Sequence, residues 1–184
     1  MARTVPVVAT EAPGNYITGA LWNAQVGATM NWLLGSGSNG PPRFKGTAST
    51  VQTISSGSGG DTAITLDTEL YDSDNGHSTT TNTSRYTIQV AGTYLILGTA
   101  AIDINSAGNR KCGININGSN ALGGAFTGPS MASNTWVASV SVTQALVVGD
   151  YVELVVWQTS GSNTLTTKVG GAFGPALICH WISS

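Results

Sequence analysis

Residues 84–105 constrain the fold of this chain more than any other stretch. Apolar side chains recur at every second position on both sides of Gly92, and this pattern predicts two β-strands joined by a tight turn. In the first strand Tyr86, Ile88 and Val90 alternate with polar residues, as expected where one face meets a core and the other meets water. In the second strand both faces are apolar. A two-sheet sandwich offers each strand one core face, so the second apolar face predicts a contact with another subunit.

The chain divides into three predicted regions. From residue 43 to residue 184, short apolar alternations are separated by turns rich in Gly, Asn and Ser, which favours an all-β, two-sheet antiparallel sandwich. Residues 1–34 are predicted to form an extended arm followed by one amphipathic helix. Residues 35–42 read as a Gly/Ser/Pro linker, flexible first and stiff last, and such a linker spans on the order of 16 Å. We therefore expect the β-domain to form a knob that lies close to the surface to which the helix binds.

Five short motifs carry a resemblance to a known family. They are Tyr-x-Ile-x-Val-x-Gly-x-Tyr at residues 86–94, the turn at 70–76, the strand ending in Asn-Gly at 114–118, Gly-Asp-Tyr-Val-Glu-Leu at 149–154 and Ala-Phe-Gly-Pro-Ala-Leu at 172–177. In this order they resemble the globular heads of the complement and tumour necrosis factor superfamily. The resemblance implies a jelly-roll sandwich that assembles as a homotrimer.

The predicted trimer contact uses side chains on the outside of the sandwich. In residues 151–158, alternate positions beginning with Val152 should fill the core, so the other positions point outward. The resemblance implies that this strand neighbours the one beginning near Tyr94, and that their outward residues line a three-fold axis. The interface predicted in this way comprises Leu95, Leu97, Ala101, Tyr151, Val155 and Trp157. The alternative is that a long loop of the same chain, such as residues 118–134, covers this patch.

The N-terminal helix is predicted from its caps and its apolar stripe. Thr18 suits an N-cap, and Gly35 follows the last apolar residue as a stop. The predicted anchor residues are Trp22, Val26, Met30, Trp32 and Leu33. One interpretation packs this helix on the chain's own β-domain. The other makes it an anchor, because an amphipathic helix with a tryptophan near each end can bury a large apolar area against a partner.

A second resemblance favours the anchor. The segment 18–35, with Trp-Asn at 22–23 and Asn-Trp-Leu at 31–33, is similar to the N-terminal segments of minor structural proteins in tailed phages. This similarity implies docking on a phage capsid or tail protein through residues 1–34. The first residues lack the uninterrupted apolar run of a signal peptide. We therefore expect a protein that is made in a host cytoplasm and located in a virion.

Composition excludes several classes of function. Only 9% of the residues are charged, against about 25% in ordinary soluble domains. The net charge is −2 and the seven basic residues are scattered, so we expect no nucleic-acid partner. No apolar stretch approaches the length of a membrane span, so we expect no membrane insertion. No motif for nucleophilic catalysis or for phosphate or cofactor binding occurs, and we expect neither an enzyme nor a cofactor.

Three pairs of residues are weaker candidates for chemistry. Asp72 and Asp74 lie in an acidic loop with a glycine, as in calcium loops, but Thr83 stands where the bidentate Glu is expected. The more economical interpretation is an Asx-type turn and no metal. His77 and His180 are expected in a core or an interface. Cys112 and Cys179 could pair, although two buried free thiols are favoured because a large β-core needs no cross-link.

The sequence therefore predicts a homotrimeric, non-enzymatic virion knob, serving as a decoration, head-fibre or minor tail protein. Polar loops facing the medium are candidates for binding a host cell-surface glycan, because amides, hydroxyls and an aromatic ring suit sugars. The candidate glycan residues are Asn75, His77, Asn134, Trp136 and Asn163. Two alternatives stay open: a receptor-binding adhesin proper, and a bacterial secreted ligand with a complement-like head.

Overall fold

A computed structural model describes residues 4–8, 10, 12–14, 16–35, 40–57, 60–161 and 164–184. The N-terminal helix is continuous from Gly19–Leu21 through a π-helical segment, Trp22–Gly27, to Ala28–Leu34. The strands of the described chain are β1 (Arg43–Thr47), β2 (Thr53–Ile54), β3 (Thr62–Ala63), β4 (Thr68–Asp72), β5 (Arg85–Thr87), β6 (Gly92–Ile102), β7 (Asn109–Ile116), β8 (Ser119–Pro129), β9 (Trp136–Leu146), β10 (Tyr151–Gln158), β11 (Leu165–Thr166) and β12 (Ala176–Ser183). A short 3₁₀ turn, Gly171–Phe173, precedes the last strand.

Two antiparallel sheets form the sandwich. The first sheet has the strand order β4-β1-β12-β6-β9, and the second has β3-β10-β7-β8 with β5 also paired to β10. Alternate residues of both sheets point inward and form one buried apolar core. The sheets approach so closely at Gly98 that a Cβ there would lie 2.7 Å from Leu154 Cδ1, which explains the glycine in the middle of a strand. The predicted all-β sandwich is confirmed.

The strands on either side of Gly92 do not form the predicted hairpin. The first of them, β5, pairs with β10 in the second sheet, while β6 pairs with β9 and β12 in the first. Tyr86, Ile88 and Val90 are buried as predicted. The pairing was wrong because alternation reports which side chains face the core, and strands from opposite sheets face the same core.

The predicted loop at residues 118–134 is also wrong. Most of it is β8, which pairs with β7 at the edge of the second sheet. The strand is rich in glycine and largely exposed, so it lacks the apolar alternation by which a strand is recognised.

The sandwich has two distinct ends. Gly92 lies opposite Leu146 at one end of β6, and Ile102 lies opposite Trp136 at the other. We call the first the helix end; it carries the connections at residues 73–84, 117–118 and 147–150. We call the second the far end; it carries residues 103–108, 130–135 and 159–161.

The N-terminal helix is fixed to the helix end by two tryptophans. Thr18 is the N-cap, since its Oγ1 accepts the Leu21 N–H at 3.1 Å, as predicted. Trp32 is 6% exposed and meets the Trp181 ring edge-on at 5.4 Å. The Trp181 Nε1–H donates to the Ala91 carbonyl at 3.2 Å.

Of the predicted linker, residues 36–39 lie outside the described chain, and the carbonyl of its last residue, Pro42, accepts the Trp181 N–H.

Candidate functional site

The outer face of the first sheet has an apolar centre. Leu95 and Leu97 of β6 point away from the core and remain partly exposed. Ile178 of β12 lies directly across from Leu97 and is also partly exposed. We call Leu95, Leu97 and Ile178 the first-sheet patch. On the β9 side it is bordered by Ser141 and Thr143, so its apolar surface ends in hydroxyl groups.

A cationic and aromatic cluster borders the first-sheet patch on its other side. Arg43 of β1 lies across from His180 of β12. The Tyr71 hydroxyl is 2.9 Å from His180 Nε2, and the Arg43 guanidinium is 5.6 Å from the Tyr71 ring centre. Burial and the charge of Arg43 together lower the pKa of His180. The neutral imidazole is therefore favoured beside the patch.

The predicted six-residue interface is not one continuous surface. The strand β6 belongs to the first sheet and β10 to the second, so Tyr151, Val155 and Trp157 lie on the opposite side of the sandwich from Leu95 and Leu97. The prediction that the two strands are neighbours is wrong. Its cause is that inward and outward positions can be read from alternation, whereas sheet membership cannot.

The chain itself buries the centre of the outer face of the second sheet. Val155 is 1% exposed and sits between Ala63 of β3 and Gly113 of β7. The Trp157 Nε1–H donates to the Gly57 carbonyl at 2.9 Å. Lys111 Nζ pairs with the Asp61 carboxylate at 2.8 Å. Coverage by the chain itself was the alternative considered from the sequence, but the segment that supplies it precedes β4 and is not residues 118–134.

Ala101, the remaining predicted interface residue, is fully buried. The segment after β11 runs beside it along β6, since the Lys168 N–H donates to the Ala101 carbonyl at 2.9 Å and Thr167 pairs with Ile102. Lys168 Nζ also pairs with Asp103 at 2.6 Å, and this contact with Lys168 lowers the pKa of Asp103. Ala101 thus has no free surface in the folded chain.

The predicted anchor residues divide into one that is buried and four that are exposed. Trp32 packs on the sandwich, as described above. The stripe that points away from the sandwich is formed by Trp22 (52% exposed), Val26 (39%), Met30 (47%) and Leu33 (63%). We call these four residues the helix stripe. The helix therefore packs on the β-domain through Trp32, as one interpretation of the sequence held, while the other four residues remain exposed.

The acidic loop is held by its own hydrogen bonds. The Asp72 carboxylate accepts the backbone N–H groups of Asp74 and His77 at 3.3 and 2.9 Å. The Asp74 carboxylate accepts the Tyr86 hydroxyl at 2.9 Å. Burial and the charge of Asp74 raise the pKa of Tyr86, so the phenol stays protonated. This geometry is that of an Asx turn, and no group of three His, Cys, Asp or Glu suited to a metal occurs among the described residues.

His77 is a structural residue of this loop. Its side chain is fully buried, with Nδ1 2.7 Å from Glu69 Oε1 and Nε2 3.0 Å from the Thr83 carbonyl. The ring also lies 5.0 Å from Phe44. His77 therefore positions the loop.

The candidate glycan residues do not form one site. Asn75 and His77 lie at the helix end, while Asn134 and Trp136 lie at the far end. Trp136 is buried and stacks on Phe126 at 6.0 Å. Asn163 lies outside the described residues. Of this set, Asn75 and His77 line a cleft.

That cleft lies where the acidic loop meets β5, at the edge of the second sheet, and we call it the flank cleft. It has a volume of about 250 Å³ and is bounded by the acidic loop and by the outward side chains of the segment at 85–89. Its lining comprises Asn75, Gly76, His77, Ser78, Thr81, Asn82, Arg85, Thr87 and Gln89. Sequence reasoning found the loop but missed Arg85, because a single arginine in a strand carries no motif.

Both cysteines are free thiols buried in the core. Cys112 belongs to the second sheet and Cys179 to the first. Burial raises the pKa of Cys112 to about 12 and also raises the pKa of Cys179. Neither thiol is poised for nucleophilic chemistry.

No described helix is long and apolar enough to cross a bilayer.

No family model and no curated protein match the sequence. Solved structures do match. The globular domain of zebrafish complement 1qA superposes with a TM-score of 0.53 at 16% identity, covering 77% of this chain and 96% of that one. The fold is that of the complement and tumour necrosis factor heads. Murine APRIL at pH 5.0 gives a TM-score of 0.57 at 7% identity, covering 76% of this chain and 98% of that one.

Murine APRIL at pH 8.5 gives a TM-score of 0.53 at 8% identity, with the same coverage of both chains. At these identities the likeness concerns the fold alone. These matches cover about three quarters of this chain.

Proposed function

We propose that this protein is a homotrimeric, non-enzymatic knob of a phage particle, docked through residues 1–34 as a decoration, head-fibre or minor tail protein. The observation that carries the proposal is the helix stripe. Its four apolar side chains are held away from the sandwich by the Trp32–Trp181 contact. A soluble domain that exposes such a stripe on a fixed helix presents a docking surface for an apolar groove.

Self-association is assigned to the first-sheet patch. Leu95, Leu97 and Ile178 are partly exposed and adjacent, whereas Val155, at the centre of the outer face of the second sheet, is buried. The resemblance to complement and tumour necrosis factor heads supports a trimer.

The two ends of the sandwich define how the knob would be oriented on the particle. Docking through the helix end leaves the far end pointing away from the particle. The loops at residues 103–108, 130–135 and 159–161 would then face the medium. Asn75 and His77, which the sequence predicted in loops facing the medium, lie instead at the docking end.

The experiment that tests docking adds purified protein to phage particles that lack it. We expect the native protein and the matched control Asn23→Asp, which places a charge on an exposed polar position of the same helix, to bind and cosediment. Met30→Asp, in the helix stripe, should lose binding. Failure of the native protein to bind, or equal binding by Met30→Asp, would refute docking through this stripe.

A receptor-binding role is the second candidate, and the flank cleft favours it. The two roles differ in what removal of the β-domain does to the particle. An adhesin predicts that particles carrying only residues 1–42 fail to adsorb to host cells. A decoration role predicts normal adsorption with capsids that break more readily on heating.

A further inference from the structure

The flank cleft is a rigid, preformed site. Its floor is set by Gly76, where a Cβ would lie 2.4 Å from the Thr87 carbonyl oxygen and 2.6 Å from the Tyr86 ring. Asn75 and Asn82 adopt positive φ values of 55° and 50°, a conformation that Asn tolerates better than other side chains. The hydrogen bonds of Asp72 and His77 described above fix the loop between these residues. A ligand would therefore bind without having to order the loop.

Arg85 is oriented so that part of its guanidinium faces the cleft. Its Nε–H donates to Glu153 Oε1 at 3.1 Å, and its plane lies 4.0 Å from the Tyr151 ring centre. The Glu153 carboxylate is nearly buried and also accepts the Ser84 hydroxyl at 2.7 Å. Within the described chain the two terminal nitrogens of Arg85 have no protein acceptor. A guanidinium held in this way presents a two-donor fork to a planar anion.

The rest of the lining is neutral and rich in hydrogen-bonding groups. The exposed side chains of Asn75, Thr81 and Asn82 form no hydrogen bond within the described chain. No aspartate or glutamate lines the cleft, and the Glu153 carboxylate that pairs with Arg85 is nearly buried. The volume of about 250 Å³ is below the roughly 300–1,000 Å³ of sites for drug-sized ligands, which limits the occupant to about one ring.

From these observations we infer that the flank cleft binds a sugar unit that carries a carboxylate, of the uronic acid class. The carboxylate lies on the Arg85 fork, and the ring hydroxyls bond to the amides and hydroxyls of Asn75, Thr81 and Asn82. The cleft lining contains no exposed aromatic ring for sugar stacking, so a single unit binds weakly, on the order of 1 mM. The inference deepens the second candidate function and does not depend on trimerisation or particle docking.

Isothermal titration of the full chain with three probes tests this inference. Methyl β-D-glucuronide should bind, methyl β-D-glucoside should bind at least about tenfold more weakly, as expected from loss of a charged hydrogen bond, and sodium phosphate should not displace the glucuronide at equal concentration. Equal binding of the glucoside, no binding of the glucuronide, or full displacement by phosphate would each overturn it. The last result would mean a general anion site.

Three variants test whether the glucuronide binds in the flank cleft. Arg85→Gln should weaken glucuronide binding at least about tenfold. Because this change leaves Glu153 without its partner, Asn82→Gly serves as a second variant, since glycine accepts the positive φ and only the amide is lost. It should weaken binding several-fold, while Asn134→Ala, at the far end, should leave it unchanged. Native affinity in Asn82→Gly, or an equal loss in Asn134→Ala, would refute the assignment.

Discussion

The outer faces of the two sheets carry similar apolar side chains but are covered in different ways. On the second sheet, Val155 is buried, and the segment that precedes β4 is tied to this face through Trp157 and Lys111. On the first sheet, the outward residues Leu95 and Leu97 are both partly exposed. The same apolar alternation thus serves the monomer on one side and is available to a partner on the other. Apolar residues on the outside of a sandwich do not by themselves define an interface.

The strongest test of this difference places an aspartate on the outer face of each sheet in turn. Val155→Asp should prevent folding of the single chain or destabilise it by more than about 4 kcal/mol, because an unpaired carboxylate would be buried. Chemical denaturation followed by tryptophan fluorescence measures the effect. The matched control Val155→Thr keeps the shape and avoids the charge. A Val155→Asp protein as stable as the control would show that the covering segment does not seal this face.

Leu97→Asp should act on assembly and not on the fold. The carboxylate would remain in contact with water in the monomer, so the free energy of unfolding should change by less than about 1 kcal/mol. Light scattering coupled to gel filtration should show monomers for this variant and, on our proposal, a trimer for the native protein. The control is Ser141→Asp, beside the patch on β9, which should retain the trimer. An unchanged mass for Leu97→Asp would remove the first-sheet patch from the interface.

Trp157→Phe tests how the segment that precedes β4 is held on the second sheet. The change keeps an aromatic ring but removes the hydrogen bond to the Gly57 carbonyl, so we expect a loss of about 1 kcal/mol in unfolding free energy. Trp22→Phe, on the exposed helix stripe, is the control and should change the stability by a few tenths of a kcal/mol at most. Equal effects of the two changes would mean that the indole does not hold the covering segment.

The pH dependence of stability gives the smallest expected effect. Because the folded chain lowers the pKa of His180 below its usual value near 6.5, the unfolded chain binds this proton first as pH falls. The contribution of His180 to stability is therefore complete above about pH 6.5 and is lost progressively below it. Melting temperatures between pH 7.5 and pH 5 measure it. His180→Gln should flatten the profile, and an identical slope in that variant would assign the dependence to other groups.

The candidate sites show where reasoning from sequence succeeds. The N-cap at Thr18, the apolar stripe of the helix and the buried Tyr86, Ile88 and Val90 follow from local patterns, because each depends on spacing within one element. The same patterns singled out the loop that borders the cleft. They did not reveal Arg85 as part of it, since its orientation depends on Glu153 and Tyr151, which are far away along the chain.

The amino-acid sequence by itself determined which side chains turn toward a core, since period-two alternation and turn residues act over a few neighbouring positions. Tertiary structure decided which strands pair, and so placed β5 and β6 in opposite sheets and Leu97 and Val155 on opposite faces. It also decided which outward residues the chain covers. Pairing and coverage depend on contacts between residues distant along the chain, such as Trp157 with Gly57 and Trp32 with Trp181, and no local pattern encodes such contacts.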